Sequence, residues 1–192
     1  MLRILLLALA LLFAPSPSRQ DQITLEIRVF SGGQDVSGET RITVHRAGDR
    51  RAPVAQLTPR TGRLEIPVAP GIYDVQAIRE RDGRVVGIRW AERLVVMAYP
   101  DEGGHHLEVV NLEAGFGALQ VRAKPSTAVP DVTLYAAGQR TKEAAPRFTG
   151  DGYALFVVPA GRYDVRSRDT ERVAWHADIE VPLDRTRLWI VP

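Results

Sequence analysis

The phrase Val68-Ala69-Pro70-Gly71-Ile72-Tyr73-Asp74-Val75 returns ninety positions later as Val158-Pro159-Ala160-Gly161-Arg162-Tyr163-Asp164-Val165. The same offset carries residues 41–50 onto residues 131–140, keeping Thr43 as Thr133, Ala47 as Ala137, Gly48 as Gly138 and Arg50 as Arg140. Leu64, Ile66 and Val68 become Ala154, Phe156 and Val158, so apolar positions stay apolar. Beyond the phrase the second copy is shorter, and its last stretch, residues 187–191, answers residues 106–110. A period of this length is too long for a solenoid unit and suits a whole domain. The reading is therefore a signal peptide over residues 1–18, a first domain over 19–112 and a second over 113–192, joined by a short stiff link at residues 111–117. One larger sandwich built from two halves is the alternative.

Within each copy the pattern has period two. Ile23, Leu25, Ile27 and Val29 alternate with Thr24, Glu26, Arg28 and Phe30, as in a strand with one face on a core. Ile42 with Val44, and Leu64 with Ile66 and Val68, repeat the alternation. Gly-rich and Asp-rich breaks separate the runs. Asp82-Gly83 marks a hairpin, because both residues tolerate positive φ. Val86, Ile88 and Trp90 share one face, which reads as core. No capped amphipathic helix is visible. The expected fold is all-β, two tandem Greek-key β-sandwiches of about seven strands each.

Residues 1–18 combine an early Arg3, a ten-residue apolar run from Ile4 to Phe13, and small or turn-forming residues up to Ser18. The run is too short for a stable membrane span and has the layout of a secretory signal peptide. Cleavage near Ser18–Arg19 would leave a secreted or periplasmic chain with no membrane insertion. The sequence has no cysteine, so an exported domain of this kind must hold itself by packing alone. Thiol catalysis and cysteine metal sites are excluded. The net charge of +2 is mixed in sign along the chain and offers no stripe for nucleic acid.

The repeated phrase places a tyrosine at the start of a strand, where its hydroxyl can reach back to a backbone group, the tyrosine corner of Greek-key sandwiches. Gly71, Tyr73, Gly161 and Tyr163 are the corner residues, the glycines supplying a conformation other residues resist. Asp74 and Asp164 are expected to point outward, toward a loop or an arginine. The Pro/Ala-Gly-x-Tyr element in residues 70–75 and 160–165 resembles that of transthyretin-like, carboxypeptidase regulatory-like sandwiches, with immunoglobulin-like and fibronectin-type domains as neighbours. The resemblance implies an accessory module of secreted or envelope proteins. It carries over no catalytic residue.

Chemistry is sparse. Four histidines, His45, His105, His106 and His176, and three tryptophans are present. Asp101, His105 and His106 fall in one stretch, which admits a surface cation because imidazole and carboxylate both bind zinc. Adjacent residues entering a strand face opposite ways, though, so both imidazoles do not readily meet one ion. His45 is replaced by Tyr135 in the second copy and reads as an exposed strand position. His176 reads as solvent-facing. Trp90 and Trp175 read as core, and Trp189 as exposed or as filler between the domains. There is no Gly-x-Ser-x-Gly elbow and no phosphate loop. No catalytic, cofactor or metal residue is assigned and no cofactor is expected. The leading function is a non-enzymatic interaction or structural module of the envelope or exterior with a protein partner. A carbohydrate-binding module using Trp189 is the alternative, followed by a metal-dependent hydrolase using Asp101, His105 and His106.

Overall fold

A computed structural model describes residues 22–58, 64–97, 104–124, 128–169 and 172–192. The expected signal peptide and its cleavage point, the turn at Thr61 and Gly62, and Asp101 lie outside these residues. The first half contains β1 (Ile23–Ser31), β2 (Gln34–Asp35), one turn of 3-10 helix (Ser37–Glu39), β3 (Thr40–Arg46), β4 (Asp49–Leu57), β5 (Leu64–Val68), β6 (Gly71–Arg81), β7 (Arg84–Val96) and β8 (His105–Asn111). The second contains β9 (Phe116–Ala123), β10 (Asp131–Ala136), β11 (Phe148–Gly150), β12 (Tyr153–Pro159), β13 (Gly161–Arg168), β14 (Val173–Val181) and β15 (Thr186–Val191). The chain is all-β, and no α-helix occurs among the described residues.

Each half makes two sheets. In the first, β1 pairs antiparallel with β5 and parallel with β8, while β4, β3, β6 and β7 form the second sheet in that order. In the second, β9 pairs antiparallel with β12 and parallel with β15, and β10, β13 and β14 form the other sheet. The unusual parallel closing pair, β1 with β8 and β9 with β15, is thus kept in both copies. Between β1 and β3 the first copy places β2 and the 3-10 turn. There Ser37 Oγ accepts from the Val29 amide at 2.8 Å and donates to Asp35 at 2.7 Å.

Three apolar cores separate the sheets. One holds Leu25, Ile27, Val29, Ile42, Val44, Tyr73 and Val75 between the two sheets of the first half. A second holds Leu119, Val121, Leu134, Phe156 and Val165 in the second half. A third holds Phe30, Leu107 and Val109 against Ala118, Tyr153, Leu155 and Val157. This third core lies between the β1 sheet and the β12 sheet, so the chain stacks four sheets with two in the interior. No strand pairing among the described residues links the halves; side chains do. β1 is accordingly buried on both faces rather than one: Leu25, Ile27 and Val29 enter the first core, while Phe30 enters the third. β12 behaves alike, with Ala154, Phe156 and Val158 on one side and Tyr153, Leu155 and Val157 on the other. Strands covered on both faces have no solvent side to mark with polar residues.

Candidate functional site

The repeated phrase builds the same device twice. Tyr73 Oη donates to the Ala69 carbonyl at 2.6 Å, and Tyr163 Oη to the Pro159 carbonyl at 2.7 Å. Each phenol is buried and so needs such an acceptor. The glycines act differently from expectation. Neither Gly71 nor Gly161 has positive φ. A Cβ on Gly71 would stand 2.9 Å from an Arg46 nitrogen and 3.4 Å from the Tyr73 ring, whereas one on Gly161 would meet the Tyr163 ring at 3.7 Å and the Pro159 carbonyl oxygen at 4.0 Å. The nearest atom at Gly71 is the end of the Arg46 guanidinium, which can move aside, so neither glycine is required by its conformation or by a rigid neighbour.

Directly after each tyrosine the ladder slips: the register of β6 with β7 shifts between Tyr73 and Val75, and that of β13 with β14 between Tyr163 and Val165. Such a bulge sets two residues against one. The opposing strands accommodate it at Arg93 (φ 55°) and Asp178 (φ 64°), both left-handed without being glycine. Asp74 and Asp164 hold these residues. They are buried, not outward-pointing. Asp74 Oδ1 accepts from the Arg93 amide at 2.9 Å, and Asp164 Oδ1 from the Asp178 amide at 3.1 Å. Their second oxygens accept from the Gly48 and Gly138 amides, each at 3.4 Å. Arg50 Nε lies 3.5 Å from Asp74, and Arg140 Nε 3.0 Å from Asp164. Burial would raise the Asp74 pKa, but the Arg93 and Gly48 amides with Arg50 outweigh it and hold the carboxyl low. For Asp164 the Arg140 contact leads, helped by the Asp178 and Gly138 amides, and again the pKa falls.

The same arginines stack on tryptophan. Arg50 sits 4.1 Å from the Trp90 ring centre and Arg140 4.5 Å from that of Trp175, a cation–π contact. His45 neighbours Trp90 at 5.7 Å, and Tyr135 neighbours Trp175 at 5.1 Å. Trp90 pairs with Gln76 and Trp175 with Arg166, which are ninety-residue equivalents. The two tryptophans therefore do recur. The longer β6–β7 hairpin moves Trp90 out of the linear register. Neither is core: both lie on the outer sheets, and Trp175 is exposed. His45, read as exposed, is buried beneath this cluster.

The hairpins differ beyond the tryptophans. β6 and β7 run 11 and 13 residues, β13 and β14 only 8 and 9. The extra length turns at Asp82 (φ 52°) and Gly83 (φ 73°). It leaves Val85, Val86 and Ile88 exposed by 59%, 55% and 56%. Ile88 and Trp90 share a face as expected, but that face points outward. β7 is the outermost strand of its sheet. Its middle is held to the second half, where Arg89 Nη2 meets Asp184 Oδ1 at 2.7 Å and Arg185 Nη1 donates to the Glu92 carbonyl at 3.2 Å.

A polar cluster edges the third core. Glu26, fully buried, accepts at Oε1 from Tyr153 Oη at 2.6 Å, and its Oε2 lies 2.9 Å from His105 Nε2. Burial first, and then the Glu26 carboxylate, raise the Tyr153 pKa, which keeps the phenol a donor. Arg122 Nη2 stands 3.3 Å from His105 Nδ1. His106 is separated from this group and lies 3.9 Å from Glu108 Oε2. Burial, then the charge of His105, depress the His106 pKa to about 4, and burial pushes Glu108 up to about 7. Glu108 also accepts from Thr186 Oγ1 at 3.2 Å, whose oxygen in turn accepts from the Val109 amide at 2.8 Å. Trp189 is half-buried against the second core with its edge on His176 at 4.9 Å, so it neither fills the third core nor stands free. His176, read as solvent-facing, also contacts Ser167 Oγ at 3.0 Å. Glu26, Glu65 and Tyr153 were missed as partners of His105. Their convergence depends on strand pairing and on the packing of the two halves, which no local spacing encodes.

No family model matches the chain and no curated protein matches it. Among solved structures it is similar to the TIE protein of Bacillus anthracis, at 17% identity and TM-score 0.33, covering 88% of this chain and 33% of that one. The chain thus spans about a third of that relative. It is also similar to the tip fimbrial protein of Porphyromonas gingivalis with C-terminal truncation (9% identity, TM-score 0.32, 88% and 94% covered). The C-terminal fragment of the pilus adhesin SpaC from Lactobacillus rhamnosus GG matches at 10% identity, TM-score 0.27, with 88% and 97% covered. At these scores the likenesses carry no argument about function.

Proposed function

We propose that the chain is an exported, non-enzymatic β-sandwich module that binds a protein partner along its extended β6–β7 hairpin. The observation that carries this reading is the length of the first hairpin: its outermost strand runs 13 residues and exposes Val85, Val86 and Ile88, whereas the outermost strand of the second copy runs 9 residues and exposes Val173 and Trp175. A free strand edge offers unpaired backbone groups, and flanking apolar side chains add specificity, the combination an extended segment of a partner uses. Contiguous exposed apolar residues on a soluble domain mark contact surfaces more often than chance placement does. Export is supported by the N-terminal layout, and no helix among the described residues is long and apolar enough to cross a membrane. In the carbohydrate reading Trp189 is the contact; it is half-buried, with part of its ring packed against the second core.

The test is photo-crosslinking in the cells that make the protein, with the reactive residue placed at Val86 or Ile88, or at Arg162 on β13 as a control. One discrete cross-linked protein from the two hairpin positions, and none from Arg162, is expected. Equal labelling from all three positions, or none from the hairpin, contradicts the proposal.

A further inference from the structure

Glu26 on β1, Glu65 on β5 and His105 on β8 come from three adjacent strands of one sheet. One ligand atom from each lies within 4.8 Å of the other two. Glu65 is exposed, His105 half-buried and Glu26 buried, so the trio opens to solvent on the Glu65 side. We propose that these residues form a divalent-cation site, holding a first-row transition ion of the zinc class through two carboxylates and one imidazole.

Four observations support the site. His105 Nε2 and Glu26 Oε2 are 2.9 Å apart, within about half an ångström of the roughly 3.4 Å that separates two ligands bound about 2.0–2.2 Å from a tetrahedral ion. His105 Nε2 is shielded from solvent yet makes no hydrogen bond among the described residues, even at that distance. The ring nitrogen is therefore aimed past the oxygen, as it is when both face a shared third centre. Glu26 is the direct cross-strand partner of Glu65. Like charges directly opposite on a sheet repel, and a cation between them reverses the sign. Finally, Tyr153 Oη holds Glu26 Oε1 at 2.6 Å, which orients the carboxylate toward His105 as outer-shell partners of metal ligands do.

One contact opposes the ion. A guanidinium only donates, so Arg122 Nη2, at 3.3 Å from His105 Nδ1, favours the tautomer with its proton on Nε2. Binding a metal at Nε2 needs the proton on Nδ1, so Arg122 and the ion compete for the ring. Arg122→Gln removes that competition, because an amide oxygen can accept from Nδ1–H. Tyr153 belongs to the second half and the three ligands to the first. A bound ion therefore tightens the contact between them and raises stability by mass action.

The experiment uses the full chain stripped with chelator and titrated with zinc sulfate by calorimetry, alongside thermal melts. One zinc per chain is expected, with a rise in Tm that chelator reverses. Arg122→Gln should bind more tightly than the parent. Glu65→Gln, at an exposed position that leaves the fold intact, should weaken binding at least tenfold, and His105→Gln should abolish it. No uptake by either the parent or Arg122→Gln overturns the proposal. Uptake that survives both Glu65→Gln and His105→Gln overturns it as well, since the ion then sits elsewhere.

Discussion

The two copies begin from the same corner, the same bulge and the same stacked tryptophan, and two of the places where they diverge bear on binding. One is the outer hairpin, long in the first copy with Val85, Val86 and Ile88 exposed behind a charged tip, and short in the second. The other is the inner face. The first copy brings Glu26 and His105 to the third core beside Phe30, Leu107 and Val109, whereas the second brings Tyr153, Leu155 and Val157. What the copies share is what closes a sandwich: a phenol on a carbonyl, and an aspartate that captures a left-handed amide at a bulge. What they do not share either joins them to each other or faces outward. The shared set is therefore poor ground for a binding function, and the unshared set is where one is to be sought.

Substitutions can set these regions against one another. The largest effect is expected in the third core. Leu155 is fully buried there, and Leu155→Ala should cost about 2–5 kcal/mol of stability in urea denaturation. Val86→Ala, on the exposed hairpin, should stay within about 0.5 kcal/mol. A Leu155→Ala cost as small as that of Val86→Ala would mean that the halves do not share a core.

A smaller, pH-dependent effect is expected at the same contact. Burial raises the Glu108 pKa from its ordinary 4.5 to about 7. An acid raised in the folded state binds its proton more strongly there than when unfolded. Its contribution is fully present below pH 4.5 and is lost as pH rises toward 7. Glu108→Gln cannot ionise, so the stability difference between parent and variant should change across that window, by at most about 1.4 kcal/mol per pH unit. A difference that stays flat from pH 4.5 to 7.5 would show that Glu108 is solvated rather than buried.

The strands were legible because a sheet with one face on a core writes its period into the sequence, as β3 and β5 do. The corner was legible because Tyr73 and Tyr163 sit in the same local phrase. The doubly covered strands were less so. The unbroken run Tyr153-Ala154-Leu155-Phe156-Val157-Val158 is the signal of a strand buried on both faces, and a period-two reading of Ala154, Phe156 and Val158 passes over it. β1 hid the same fact because its second face carries Glu26 and Arg28, whose partners lie far along the chain. Trp90 was misplaced for a different reason. Alternation shows that Val86, Ile88 and Trp90 belong together but not which way they face, and the longer hairpin displaces Trp90 from its equivalent. The Glu26, Glu65 and His105 trio needs three strands in register, so no spacing along the chain announces it.

Because the third core takes side chains from both halves, they are expected to unfold as one cooperative unit. Equilibrium urea unfolding followed by fluorescence, once with Trp90 as the sole tryptophan and once with Trp175, reports each half separately. Coincident transitions, with the same midpoint and slope, are predicted. Two separated midpoints would contradict the claim and leave two sandwiches that merely adjoin.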